Sequence, residues 1–170
     1  MNTKKLSLTA MLTGIAVVIF VIEMQIPLPI TIPGIKLGLA NVVTLFTLVV
    51  LGEKEAFFVL FMRIIICSIF AGGISSFIYS ASGGVLCFIV MCAALKLLGN
   101  NLLWAISAFG SIAHNMGQLI AARIITANSA VFLYMPLLII SGIITGIFTG
   151  LCAYYVLKNK HIKRLTEIIE

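Results

Sequence analysis

Two short stretches concentrate the side chains able to hold a ligand. The first, "IPGIKLGLANVVTLF" from Ile32 to Phe46, places Lys36 and Asn41 at the start of an apolar run. The second, "SIAHNMGQLIAAR" from Ser111 to Arg123, holds His114, Asn115, Gln118 and Arg123. Lys36 and Arg123 supply positive charge, and the amides and imidazole supply hydrogen bonds. Together they suit an anionic or carbonyl-rich small molecule. On a helix, His114 and Gln118 share a face four residues apart, while Asn115 and Gln118 neighbour each other at three. Each needs a partner in an apolar setting, either across a helix interface or in a binding cavity. Arg63 and Glu23 are the other charges inside apolar runs, and they form either an ion pair with each other or contacts to a ligand.

The setting is apolar throughout. Of 170 residues 62% are hydrophobic and 9% charged, against about 25% charged in a soluble domain. Lipid is therefore the expected solvent, and the expected partner of most of the surface is the bilayer. The net charge of +6 sits at segment ends, which orients a chain in a membrane, and nucleic acid is not an expected partner. Cys67, Cys87, Cys92 and Cys152 lie singly in apolar runs and read as small buried hydrophobes.

Breaks at Gly, Pro, Asn and charge predict six helices near 6–26, 35–52, 55–72, 79–98, 102–125 and 133–157. The expected fold is an all-α six-transmembrane-helix bundle over 1–157 with a basic tail over 158–170. Eight of the eleven cations, Lys4, Lys5, Lys54, Lys96, Lys158, Lys160, Lys163 and Arg164, fall on one side of that bundle. The inside-positive rule makes that side, and both termini, cytoplasmic, as expected of a multi-pass plasma-membrane protein. Glu23, Lys36 and Arg123 then lie toward the outer face, where Lys36 and Arg123 either line a cavity or reach headgroups. Arg63 lies near mid-membrane.

Small residues mark close helix contacts. Gly142, Gly146 and Gly150 recur every four residues in "SGIITGIFTG", and Ala10 and Gly14 do so in "AMLTG". Internal packing is the default for both stripes, and docking of a separate subunit is favoured only for the second. The paired glycines 72–73 and 83–84 suggest a non-ideal helix start near Tyr79, with backbone lining a cavity.

The motifs "PGIKLGLANVVTL", "FIYSASGG", "AHNMGQLIAA" and "MPLLIISGIITGIFTG" resemble the heptaprenyl diphosphate synthase component I family, also called the Gx transporter family. That family is distantly similar to the substrate-binding S components of energy-coupling-factor transporters. The resemblance implies six helices, an outward ligand pocket, and an Ala10–Gly14 stripe that meets a membrane coupling subunit working with ATPases. It equally admits a prenyl synthase or a flavoprotein as the partner.

The residues argue against catalysis. Prenyl diphosphate chemistry holds magnesium through aspartate-rich motifs, and the chain contains no aspartate. No nucleophile elbow, zinc helix or nucleotide loop is present, so no catalytic residue, metal or cofactor is expected. Two functions lead, a substrate-binding or transport subunit energised by a partner and an accessory component of isoprenoid synthesis or flavin-linked electron transfer, ahead of a self-sufficient secondary transporter, which a single intramembrane acid disfavours.

Overall fold

A computed structural model describes residues 3–26, 36–71 and 73–159. The basic tail beyond Asn159, the Pro-rich connection 27–35 and Gly72 lie outside the described residues. The described residues are helical, with no strand: α1 Thr3–Glu23, α2 Asn41–Val50, α3 Glu53–Phe70, α4 Ile74–Leu98, α5 Leu103–Thr126 and α6 Met135–Lys158. Short 3-10 turns, Asn100–Leu102 and Ser129–Tyr134, lead into α5 and α6. In lipid a helix satisfies every backbone group within itself, which is why apolar runs of this length take that form. Among the described residues, three helical stretches are long and apolar enough to cross a membrane: Thr3–Glu23, Ile74–Leu98 and Ser129–Lys158.

The short α2 is the hub of the bundle, in contact with each of the other five helices. Its buried side chains include Asn41, Val43, Thr44, Leu45, Thr47 and Leu48. At ten residues it covers ~15 Å, about half the hydrocarbon thickness. A helix from residue 35 is therefore corrected. Residues 36–40 are non-helical, and Gly38 has a φ of +79°, a left-handed conformation that residues with a Cβ rarely adopt. Turn bonds from the Asn41, Val42 and Val43 amides to the carbonyls of Gly38, Leu39 and Ala40 then start the helix.

The expected start of the fourth helix at 79 is also corrected. The helix begins at Ile74 and runs unbroken through Gly83 and Gly84. These glycines serve packing. A Cβ on Gly83 would lie 2.9 Å from the His114 carbonyl oxygen, and one on Gly117 would lie 2.6 Å from that of Ser82. The α4 and α5 backbones therefore approach closely here, and α5 packs against α6 along its other side.

The two small-residue stripes differ in their surroundings. A Cβ on Gly146 would fall 2.5 Å from the Cα of Ala108, and one on Gly150 would fall 2.5 Å from that of Trp104. Gly142 likewise sits against the backbone of Ile112, so the α6 stripe is occupied by α5. Ala10 and Gly14 are exposed on α1, and the space beside Gly14 is open.

Candidate functional site

Five elements converge on one small cavity whose wall mixes polar and apolar side chains. Its wall includes Glu23 from the end of α1, Lys36 and Gly38 from the segment before α2, and Arg63 from α3. Ser80 from α4 and His114 and Gln118 from α5 complete the polar part. The cavity encloses about 20 Å³ open to the centre of a water molecule, room for one or two waters or a small polar group.

The non-helical segment is tied down on two sides. The Gly38 amide donates to Glu23 Oε1, and the Lys36 amide donates to Gln118 Oε1 at 3.1 Å. A Cβ on Gly38 would come within 2.8 Å of Asn41 Nδ2 and 2.9 Å of His114 Cδ2, so only glycine fits this approach. These bonds make the backbone before α2 a wall of the cavity. Sequence reading missed Gly38 and Ser80. Gly38 could have been suspected as a glycine three residues ahead of a polar helix start.

Hydrogen bonds fix the orientations of the amides and the imidazole. Because Gln118 Oε1 accepts from Lys36, its Nε2 donates to His114 Nε2, 3.0 Å away. His114 is then a neutral imidazole carrying its proton on Nδ1, which has no hydrogen-bond partner. Both terminal nitrogens of Arg63 donate to Asn41 Oδ1 at 3.2 Å. That orients the Asn41 amide and leaves its Nδ2 an unpartnered buried donor. The expected Glu23–Arg63 ion pair is not made: Arg63 bonds to Asn41, while the Glu23 carboxylate takes the Gly38 amide. The two charges still act on each other across the cavity.

Lys36 is the least satisfied group. Its Nζ is buried without a hydrogen-bond partner and sits 3.5 Å from the centroid of the Phe20 ring. A cation on an aromatic face gains ~0.5–2 kcal/mol, but the ring offers its N–H groups no hydrogen-bond acceptor in place of the water lost on burial. The neighbouring Glu23 carboxylate adds Coulomb attraction, yet three N–H donors remain without an acceptor. On the wall, Lys36 Nζ and His114 Nδ1 are thus left open, and an acceptor-rich group complements them; Asn41, whose Nδ2 is also unpartnered, is not a wall residue.

The other expected site residues lie elsewhere. Asn115 points into the α5–α6 interface, where Nδ2 donates to the Leu138 carbonyl at 2.7 Å and to Ser141 Oγ at 3.4 Å. Being 100° around the helix from His114, it faces α6 instead of the cavity. Tyr79 is buried in an apolar cluster with Leu119, Ala122 and Val131, and its neighbour Ser80 takes the cavity wall. Arg123 is half-buried in the last turn of α5, beyond the cavity wall. Ser107 bonds Thr149 of α6 at 2.9 Å, again as a helix contact. All four cysteines are free thiols. Among the described residues no group of three metal-ligating side chains gathers.

Residues 12–156 match the protein family described as heptaprenyl diphosphate synthase component I. No curated protein and no solved structure matches the chain.

Proposed function

This chain belongs to the heptaprenyl diphosphate synthase component I family, and from that membership and the buried cationic site we propose that it is a non-catalytic membrane subunit that binds a small organic anion. The carrying observation is the unpartnered Lys36 ammonium in a cavity that also exposes Arg63, His114 and Gln118. Lys36 anchors the anionic group. His114 offers a further donor, Asn41 holds Arg63, and Gln118 holds Lys36 in register. Asn115 supports this arrangement by fixing α5 on α6.

In this reading the chain lies in the plasma membrane as six membrane segments, with α2 a half-length one and both termini cytoplasmic. The Lys96–Glu53 bridge at 2.8 Å ties the end of α4 to the start of α3 at the cation-rich side, and the cavity lies toward the other. Energy for any net movement comes from a partner, because the chain carries no nucleotide-binding motif. The exposed Ala10–Gly14 face of α1 is the docking surface proposed for a coupling subunit.

A second reading has a specific observation behind it. The family description names a component of a synthase, which favours an accessory role beside a prenyl synthase. The chain's lack of aspartate argues against its holding the magnesium-bound diphosphate itself.

Purified protein in detergent, melted in the presence of organic anions and their neutral amides, tests the binding role. Stabilisation by anions over matched amides supports it, and equal responses to both refute it. Co-purification separates the partners: an ATPase-linked membrane complex supports the first reading, a prenyl synthase the second.

A further inference from the structure

The cavity's charge inventory narrows the ligand. Among its wall residues Lys36 and Arg63 are basic and Glu23 is acidic, all three taken as ionised, and His114 is neutral where its Nε2 accepts from Gln118. One positive charge is therefore in excess. A buried site of low polarity is most stable when its charges balance, since an uncompensated charge has no water to screen it. We infer that this site takes a ligand group bearing a single negative charge, a carboxylate or its equivalent, and discriminates against phosphate and diphosphate groups.

The geometry points the same way. Space for one or two water molecules accommodates a carboxylate or a comparably small head, whereas a diphosphate needs several times that room. The unpartnered donors on the wall are Lys36 Nζ and His114 Nδ1, and Arg63 turns one N–H of each terminal nitrogen to Asn41. Glu23 is the selectivity residue in this scheme. Its carboxylate supports the Gly38 amide and at the same time removes one unit of positive charge from the cavity. A second negative charge on the ligand would face it unopposed.

The inference rests on the anion-binding reading and can fail separately from it. The probes are acetate, methanesulfonate, methyl phosphate and inorganic diphosphate, added at matched ionic strength to the purified full chain. The pH is held near 7.5, above the second phosphate pKa of about 6. Sulfonate and phosphate share a tetrahedral shape and differ in charge, so their comparison isolates the charge effect. The expected result is a melting shift with acetate and methanesulfonate, half-saturating at least about tenfold below methyl phosphate. Methyl phosphate or diphosphate acting at equal or lower concentration overturns the single-charge inference and leaves the anion site standing. No shift with any probe overturns both.

The variant Glu23→Gln keeps an acceptor for the Gly38 amide and raises the excess to two positive charges. Its preference is expected to move toward methyl phosphate by about tenfold, and an unchanged preference contradicts the assigned role of Glu23. The comparison of methanesulfonate with methyl phosphate on the unaltered chain decides the matter even where that variant does not fold.

Discussion

Arg63 on α3 gives both of its terminal guanidinium nitrogens to one atom, Oδ1 of Asn41 on α2, at 3.2 Å each. A charge that is 4% exposed in an apolar bundle is thus held by a neutral amide. The same contact sets the free end of that amide beside Gly38. Removing it should be costly. Asn41→Ala deprives Arg63 of this hydrogen-bond acceptor and should lower stability by about 1.5–3 kcal/mol, the usual worth of a hydrogen bond to a charged group. A melting point in detergent within a degree of the unaltered protein's would show that Arg63 is satisfied some other way.

The turn before α2 depends on Gly38. Alanine there adds left-handed backbone strain of roughly 1–2 kcal/mol and pushes against Asn41 Nδ2 and His114 Cδ2. Gly38→Ala should lower the melting point and weaken any anion response together, because the segment carrying Lys36 is displaced. Retention of full anion response would mean that Lys36 is positioned independently of this turn.

The glycine stripes provide a paired test. Gly146→Val must force α6 away from Ala108 and Ser107 and should destabilise the chain by about 1–3 kcal/mol, the usual cost of core overpacking. Gly14→Ala meets nothing within 4 Å and gains helix propensity of about 1 kcal/mol, so the isolated chain should be unchanged or more stable. If α1 docks a coupling subunit, Gly14→Leu should leave the isolated chain folded and reduce recovery of that partner. Equal partner recovery from Gly14→Leu and the unaltered chain would remove α1 as the docking face.

Asn115 separates helix adhesion from ligand contact. Asn115→Ala loses the bond to the Leu138 carbonyl and should cost about 0.6–1.7 kcal/mol, the range for interhelical side-chain bonds in membranes. The anion-induced melting shift should persist at the same half-saturating concentration. Its disappearance would return Asn115 to the binding set.

Much of this site was legible because strong hydrogen-bonding side chains stand out in so apolar a chain. Lys36, His114 and Gln118 were recognised by type alone, and the cavity does gather them with Glu23 and Arg63. What type could not supply was facing. His114 and Asn115 are adjacent in sequence, and one reaches the cavity while the other bonds α6. Tyr79 and Ser80 divide in the same way, with the smaller residue on the wall. Hydropathy carried the helical class but misjudged α2. Leu37, Leu39 and Ala40 look like helix, and one glycine with positive φ keeps them out of it. The α6 stripe was readable as packing. The lack of contact at Gly14 could be learned only from the assembled bundle.

The claim on which the account turns is that the Lys36 ammonium is held open for an anion. Lys36→Met keeps most of the apolar stem of the side chain and removes the ammonium with its charge and N–H donors. Titration of acetate into unaltered and Lys36→Met protein, read as the melting shift, tests that claim most directly. The account predicts a saturable rise in the unaltered chain and none in Lys36→Met, with the variant at least as stable in the absence of acetate. An equal saturable rise in both proteins, or none in either, would contradict it.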